Sequence, residues 1–429
     1  MVIRHENSVN LIWSNRDRGY YIANDKEIDK EVDNIIQLKS GDKEIKKELE
    51  QMGLEDGVRE IHTPSNTVGL RCPLEYYFDY TDACNLKCEH CYNREQLNNN
   101  TMTEEQIEYI IKDMYENGIM RLHLAGGEPT LFPKKLNKYM ETAKKYGIVT
   151  SMSSNGTMVT DEIGKILIDN DVTSFTISIE SADEAKNSKI RGAGVLNKSI
   201  EGIKKIISYR EKNNGKFNVA IKMSYDVDTS IDDFQKMIDL AIELKVDVLK
   251  LINPERCTFH ERKYYSSVAD KYFEVQKIIR NLSAKYKGKL NITIVNSPVN
   301  LYCTSGLPNM KGCIGAQELV AINPSGDVTP CLMNKYNLGN IFENKSIKDI
   351  YEGERLKKYR SMISDYDCKG CEYHEQCRGG CQVRKIVEYG KITSIDPLCP
   401  KKYNEDTKEV IKEKQKYKYF KRINVYHSL

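Results

Sequence analysis

The chain has 429 residues, which at roughly 150 residues per domain predicts about three domains and excludes a single small module. Apolar residues make up 40% of the sequence and charged residues 30%, a globular balance that excludes disordered and fibrous classes. Lys and Arg total 65 against 62 for Asp and Glu, and the net charge of +3 gives no support for a nucleic-acid partner.

The compartment is predicted from the N-terminus and the cysteines. Charges at Arg4, His5 and Glu6 interrupt the apolar stretch that a secretory signal needs. No window of about 18 uninterrupted apolar residues occurs elsewhere, so no membrane partner is predicted. We therefore expect a cytoplasmic protein, in which the 13 cysteines favour metal ligation over disulfides.

Residues 1–70 predict a small α+β module. Leu11–Trp13 and Tyr20–Ile22 have the pattern of short strands, and amphipathic helices are predicted near Ile28–Leu38 and Ile45–Met52. This order is weakly similar to a truncated form of the PqqD-type winged-helix module, which binds leader peptides of ribosomally made natural products. Peptides dock on such modules by adding a strand to a sheet edge. A barrel-capping extension is the alternative.

Residues 71–300 alternate β-branched stretches with segments of helical period. The predicted strands are Tyr76–Tyr80, Leu122–Leu124, Ile148–Met152, Phe175–Ile179, Val219–Met223 and Val248–Ile252. The helices that follow them are Glu104–Glu116, Lys134–Lys145, Glu162–Asp169, Lys198–Lys212, Ile231–Leu244 and Val268–Lys285. Six strand–helix units in succession predict an α/β fold, a partial (β/α)6 barrel with a parallel sheet. Reactive groups in such folds gather at the C-terminal ends of the strands.

Three cysteines in the pattern CxxxCxxC, Cys84, Cys88 and Cys91, follow the first predicted strand. Three thiolates on one loop can hold three corners of a cubane iron–sulfur cluster, and the open iron can bind a small molecule. The alternative is a zinc knuckle with His90 as fourth ligand. The cluster is favoured because a second motif follows the second strand, the run Gly126-Gly127-Glu128-Pro129.

These two motifs, in this order, resemble those of the radical S-adenosylmethionine (radical SAM) enzymes over about residues 71–300. The resemblance implies that the three cysteines bind a 4Fe–4S cluster and that SAM occupies its fourth iron. One electron then cleaves SAM to methionine and a 5′-deoxyadenosyl radical, which abstracts a substrate hydrogen. It further implies that the GGEP run contacts the SAM amino group, for which Gly126 and Gly127 leave room and Glu128 adds a compensating charge.

Polar residues at the ends of the third and fourth strands are candidates for the rest of SAM. Hydroxyl, amide and carboxylate groups there can bind ribose hydroxyls; the residues are Ser154, Asn155, Ser178 and Glu180. Arg191 is a bidentate partner for the methionine carboxylate. A surface cap or salt bridge is the alternative reading of each.

Two residues after the sixth strand, Glu255 and Cys257, face the same mouth of the predicted barrel. Glu255 is one of several conceivable general bases. Cys257 would serve as a radical relay, a hydrogen donor or a substrate contact, and a small buried apolar residue is the alternative.

Eight further cysteines lie in residues 301–400, and seven of them form a group apart from Cys303: Cys313, Cys331, Cys368, Cys371, Cys377, Cys381 and Cys399. Their order resembles the SPASM extension of radical SAM enzymes, which holds two auxiliary 4Fe–4S clusters and would bring the total to three; paired zinc ribbons are the alternative. The resemblance assigns Cys313, Cys331 and Cys381 to the first auxiliary cluster. It assigns to the second Cys368, Cys371, Cys377 and Cys399. Cys303 is the candidate fourth ligand of the first cluster, and an iron stays open for substrate if Cys303 does not reach.

Residues 401–429 are Lys-rich and predict a basic, solvated helix or tail. Taken together, the motifs predict a radical SAM/SPASM maturase that acts on a ribosomal precursor peptide and forms a thioether or carbon–carbon crosslink. A low-potential electron donor such as flavodoxin or ferredoxin is the expected partner. The alternatives are a sulfatase-type maturase that forms formylglycine, a SPASM enzyme that modifies a small cofactor precursor, and a non-catalytic metal scaffold.

Overall fold

The computed structural model describes residues 1–6, 10–38, 40–62, 70–93, 99–253, 264–295, 313–364, 371, 379–399 and 417–423. The strands are β1 Val2–His5, β2 Asn10–Ser14, β3 Gly19–Ala23, β4 Arg59–His62, β5 Glu75–Phe78, β6 Arg121–Leu124, β7 Val149–Ser154, β8 Ser174–Ser178, β9 Asn218–Ser224, β10 Val248–Ile252, β11 Asn291–Val295, β12 Leu319–Ile322, β13 Asp327–Thr329, β14 Gly339–Asn340 and β15 Phe420–Ile423. The helices are α1 Lys26–Leu38, α2 Lys43–Met52, α3 Glu104–Glu116, α4 Pro133–Lys145, α5 Asp161–Asp169, α6 Glu184–Arg191, α7 Val195–Lys212, α8 Ile231–Glu243, α9 Tyr264–Ser267, α10 Ala269–Lys285, α11 Ile347–Glu352, α12 Glu354–Ser364 and α13 Gln382–Tyr389.

The six strands β5 to β10 form the partial barrel. They lie side by side in chain order, and every neighbouring pair is parallel. Side chains on the outer face, such as Phe78, Leu124 and Ile177, are fully buried in one apolar cluster with residues of the surrounding helices. Alternate residues along each strand therefore face the inner side. The predicted α/β fold is confirmed, and β11 extends the sheet beyond β10.

The C-terminal region continues the same sheet on its other side. β12 pairs in parallel with β5, and β13 and β14 follow it in antiparallel pairs, which gives a ten-stranded sheet. Cys331, two residues after β13, contacts an apolar cluster that includes Tyr77 of β5 and Ala125 at the end of β6. The SPASM-like region thus lies against the first strands of the barrel.

The N-terminal module has more strands than predicted. β1, β2 and β3 form an antiparallel sheet, and β4 pairs in parallel with β1. Helices α1 and α2 pack on this sheet through Val32, Ile35 and Leu49. The predicted pair of strands followed by two helices is present, with β1 and β4 in addition.

The prediction of a solvated helix or tail is wrong for residues 420–423, which form β15 and pair antiparallel with β3. Tyr417, Phe420 and Ile423 are at most 2% exposed, while Lys418 and Lys421 are exposed. Burying these three apolar side chains in the N-terminal module explains the strand, because lysines between them can still reach solvent. Residues 401–416 lie outside the described part.

Across the ranges that the structure describes, no helix has the combined length and apolar character that crossing a membrane requires.

Candidate active site

Cys84, Cys88 and Cys91 lie on the loop that follows β5, where the sequence placed them. All three thiols are free and partly exposed. Burial raises the pKa of each thiol, to about 11 for Cys84, while the charge of Arg191 opposes this rise at Cys88 and Cys91. A bound metal centre would supply the positive charge that keeps such thiols ionised.

The three Sγ atoms of this loop do not all lie within 4.8 Å of one another. A tetrahedral zinc holds thiolates about 3.8 Å apart, because Zn–S bonds are about 2.3 Å long. Within the described ranges, the one group of three or more candidate ligands whose atoms all lie within 4.8 Å of one another is His5, Glu60 and His62, far from the motif in sequence. The donor set of three thiols fits a cubane cluster with one cysteine on each of three irons, whereas a zinc knuckle would need His90, which is directed at Glu180 instead.

The cysteine loop is held against the loop after β6 by backbone contacts. Gly127 N–H donates to Thr81 O (2.9 Å) and Glu128 N–H donates to Ala83 O (2.8 Å). A Cβ on Gly127 would lie 2.0 Å from Ala83 O, and one on Gly126, whose φ is +109°, would lie 2.5 Å from Thr81 O. Both glycines are thus required by the close approach of the two loops. Contact of this run with SAM remains a prediction.

Gly127→Ala is expected to displace the cysteine loop, because its clash is with backbone. We expect reconstituted iron to fall by about four per chain, the content of one cubane cluster. Gly288→Ala is the control for replacing a glycine without a clash: Gly288 has no atom within 4 Å of an added Cβ, although its φ is positive (+85°) and that of Gly127 is not. Iron content equal in the Gly127→Ala and Gly288→Ala proteins would contradict this role.

Glu128 connects the ends of β6 and β7. Its carboxylate is 1% exposed and accepts hydrogen bonds from Thr130 N–H (3.1 Å), Thr130 Oγ1 (2.6 Å), Ser154 Oγ (2.7 Å) and Asn155 N–H (2.6 Å). The structure therefore brings together three residues that the sequence singled out. Glu128 positions Ser154 and Asn155 as well as carrying the charge predicted to face SAM.

Asn85, inside the cysteine motif, ties that loop to the end of β7. Asn155 Nδ2 donates to Asn85 Oδ1 (2.8 Å), and Asn85 Nδ2 donates to Thr157 Oγ1 (2.9 Å). Asn85 and Thr157 were not predicted from the sequence, since polar side chains in loops carry no periodic signal.

Glu180 and Arg191 form a buried ion pair beside the cysteine loop. Arg191 Nε donates to Glu180 Oε1 (3.3 Å), His90 Nε2 lies 3.2 Å from the same oxygen, and Ser224 N–H donates to Oε2 (2.7 Å). Burial alone would raise the pKa of Glu180, but the hydrogen bond with His90 and the charge of Arg191 lower it to about 2. His90 is thus directed at Glu180.

Arg191 retains donor capacity. Its Nη1 donates to Ser178 O (3.3 Å), and no hydrogen bond joins its Nη2 to any residue that the structure describes. A guanidinium whose Nε and Nη1 already donate and whose Nη2 is open can donate to a ligand carboxylate, as predicted for the methionine end of SAM. Ser178 contributes its carbonyl to this arrangement, and its predicted ribose contact remains a prediction.

Asp79, at the end of β5, was not identified from the sequence. It is 4% exposed, accepts from Asn93 Nδ2 (2.9 Å) and lines a cavity of about 110 Å³ between the barrel and the β12–β13 hairpin, together with Asp327 and Lys335. Its Oδ1 has no hydrogen-bond partner among the described residues. Burial raises the pKa of Asp79 to about 6.

Asp79→Asn is expected to raise the Tm more at pH 8 than at pH 5. The folded chain holds this proton to about pH 6, whereas the unfolded pKa is 3.8, so folding is penalised increasingly as the pH rises between these values. The penalty grows from about 1 to 2 kcal/mol at pH 5 to about 3 kcal/mol at pH 8. The exposed Asp232, replaced in the same way, is the control for calorimetry at both pH values. A gain in Tm independent of pH would contradict the assignment.

Three cysteines assigned to the first auxiliary cluster lie near one another. Cys331 and Cys381 contact the same apolar cluster, and the Cys313 thiol accepts hydrogen bonds from backbone N–H groups of Gly315 and Gln382. Cys381 N–H donates to Asp396 Oδ2 (2.7 Å), and Cys399 N–H donates to Asp396 O (3.0 Å). Asp396, fully paired with buried Arg384, was missed by sequence reasoning.

Of the remaining predicted site residues, some lie in the part of the chain that the structure describes and others lie outside it. Cys371 and Cys399 are free and partly exposed. Five candidates lie outside the described residues: Glu255, Cys257, Cys303, Cys368 and Cys377.

Comparison with known proteins finds two matching families. The Radical SAM superfamily matches residues 78–249, and the SPASM iron–sulfur cluster-binding domain matches residues 313–382. The PqqA peptide cyclase of Bradyrhizobium diazoefficiens is 24% identical over 78% of this chain and 87% of its own length. The mycofactocin maturase MftC of Mycolicibacterium smegmatis is 22% identical over 77% and 83%. The crystal structure of Streptococcus suis SuiB bound to S-adenosylmethionine is similar in fold, with a TM-score of 0.66, 19% identity and coverage of 92% of this chain and 99% of SuiB.

Proposed function

The chain is a radical SAM enzyme with a C-terminal SPASM domain, and we propose that it modifies a ribosomally made precursor peptide by forming a thioether or carbon–carbon crosslink. The observation that carries the proposal is the combination of the Cys84, Cys88 and Cys91 loop with a cysteine-rich extension that continues the barrel sheet. Two of its relatives are named as a peptide cyclase and a maturase.

In the proposed reaction, Cys84, Cys88 and Cys91 would hold a 4Fe–4S cluster, which would supply the electron for reductive cleavage of bound SAM. The chain's own residues provide the binding geometry. Arg191 would bind the methionine carboxylate, while Glu180 holds the guanidinium in place and is itself contacted by His90. Glu128 fixes Ser154 and Asn155, which would contact the ribose of SAM.

We assign two auxiliary 4Fe–4S clusters to the C-terminal cysteines, with three clusters in all. The proximity of Cys313, Cys331 and Cys381 supports the first of these. A flavodoxin or ferredoxin is the proposed electron donor, because reduction of such clusters requires a low potential.

The N-terminal module is the proposed peptide-recognition element. The fold similarity to SuiB covers 92% of the chain, and SuiB has also been crystallised with its precursor peptide SuiA. Because β15 pairs with β3, the edge strands of the module's sheet are β4 and β15. A peptide that docks by strand addition would extend the sheet at one of these strands or replace β15.

The proposal is tested by incubating the reconstituted enzyme, SAM and dithionite with the short peptide encoded beside its gene. Crosslinking removes a pair of hydrogens per bond formed, and fragmentation should fail between the joined residues. An aldehyde-specific hydrazine separates this product from formylglycine. A peptide of unchanged mass under active SAM cleavage would overturn the proposal.

A further inference from the structure

The inner face of the partial barrel is polar, whereas the interior of a closed (β/α)8 barrel is filled mainly with bulky branched residues. The outer face takes the apolar side chains of β5 to β10, so alternate residues line the inner face. Hydroxyl groups dominate the middle strands, at Ser151, Ser153, Ser174 and Thr176. Charged residues lie on the strands at either side: Glu75, Arg121, Lys222 and Lys250.

Lys222 and Lys250 are neighbours on this face. They occupy partner positions on the parallel strands β9 and β10. Lys250 is 6% exposed, and its ammonium donates to Thr176 Oγ1 (3.4 Å). Lys222 is partly buried and forms no hydrogen bond or ion pair with any residue that the structure describes. Burial and the charge of Lys222 lower the pKa of Lys250 to about 8.

The surrounding groups do not balance these charges. Glu75 is the acid that faces Lys250 and Arg121, and neither of its carboxylate oxygens has a hydrogen-bond partner in the described ranges. Glu180 is already paired with Arg191 and His90. His123 bonds to Ser151 and Ser153, and burial lowers its pKa well below the usual range, so it is neutral. Three cations, Arg121, Lys222 and Lys250, therefore face the one carboxylate of Glu75.

The iron–sulfur site does not supply the missing anion for the whole group. Lys222 lies within the electrostatic reach of Cys88 and Cys91. The charges that act on Lys250 are those of Lys222, Glu75 and Arg121, with no cysteine among them. The lysine pair thus extends from the vicinity of the cysteine loop into the barrel.

We propose that Lys222 and Lys250 bind a carboxylate of the substrate, so that the enzyme selects an acidic residue or a free C-terminus for the segment it modifies. A desolvated carboxylate between two ammonium groups gains charge-assisted hydrogen bonds and neutralises the inner face. This inference rests on the proposed function in taking a peptide as the substrate.

The test is equilibrium binding to the reconstituted holoenzyme with SAM and without reductant, by isothermal titration calorimetry. The probes are Ac-Ala-Glu-Ala-NH2, its uncharged counterpart Ac-Ala-Gln-Ala-NH2 and Ac-Ala-Gln-Ala with a free C-terminus. We expect the glutamate probe or the free C-terminal probe to bind about tenfold more tightly than the uncharged one. Which of the two binds tightly identifies the source of the carboxylate.

The double variant Lys222→Met/Lys250→Met should remove this preference, and each single substitution should remove it as well. Methionine keeps the apolar stem of lysine without its charge. Lys198→Met, on an exposed part of α7, is the matched control and should retain the preference. Equal binding of charged and uncharged probes by the wild-type enzyme, or a preference that survives in the double variant, overturns the inference. Peptide crosslinking is read by mass in a separate assay, so either proposal can fail without the other.

Discussion

Cys88→Ala is expected to abolish formation of 5′-deoxyadenosine from SAM. Cys88 is one of three thiols that would hold the proposed cluster, and the neighbouring His90 is directed at Glu180 and away from the role of a replacement ligand. Loss of one ligand should release the cluster, with a fall of about four irons per chain and a rate decrease of about a thousandfold or more. The measurement is 5′-deoxyadenosine by chromatography after anaerobic incubation with SAM and dithionite.

Cys72→Ala is the matched control for this loss. The Cys72 thiol is 1% exposed, lies before β5 and contacts Asn117 Oδ1 (3.7 Å) rather than the cysteine loop. We expect it to retain iron content and SAM cleavage. Comparable activity of Cys88→Ala and Cys72→Ala would show that the loop does not hold the reactive centre.

Glu180→Gln is expected to raise the KM for SAM about tenfold and to lower stability by about 3 kcal/mol. The Glu180 pKa is about 2 in the folded chain against an ordinary value of 4.5, so its charge stabilises the fold at every pH above about 5 and is lost as the pH falls toward 2. Glutamine leaves Arg191 buried without its counter-charge. Because Glu180 acts through Arg191, the change should appear in the KM for SAM more than in kcat.

Two further variants make this result specific. Glu180→Asp keeps the charge and should recover part of the SAM affinity, whereas a purely steric role would be lost in both variants. Glu201→Gln removes an exposed carboxylate on α7 and should change neither Tm nor KM. An unchanged KM for SAM in Glu180→Gln, with iron content preserved, would remove Arg191 from the proposed SAM site.

The fold could be predicted wherever apolar periodicity was strong. β10 and α3 have the predicted bounds, and a capping box of Thr103 and Gln106 explains why α3 begins where it does. α6 was missed because its buried residues are Asn187 and Arg191, which give no apolar period. β15 was read as a tail because lysines interrupt its apolar residues, and its pairing with β3 depends on contacts about 400 residues apart in the sequence.

The radical SAM and SPASM assignment made from the cysteine motifs is confirmed by the family matches. Several residues at strand ends, such as Ser154 and Glu180, were predictable because the C-terminal ends of parallel strands meet at one edge. Asp79 and Asn85 were not predicted, because no motif distinguishes them from other polar loop residues. Lys222 and Lys250 were not predicted, because a lysine within a strand ordinarily indicates a solvent-facing position. The role of Lys222 and Lys250 depends on which face of β9 and β10 is buried, and that is decided by the tertiary structure.

The central claim is that the loop of Cys84, Cys88 and Cys91 carries a SAM-cleaving cluster in a protein with two auxiliary clusters. The most direct measurement is anaerobic reconstitution of the wild-type chain, with iron, sulfide and zinc quantified, followed by assay of 5′-deoxyadenosine after addition of dithionite and SAM. About twelve irons per chain, the sum of three cubane clusters, together with 5′-deoxyadenosine formation is the predicted result. Bound zinc without SAM cleavage would contradict it and would make the cysteines structural.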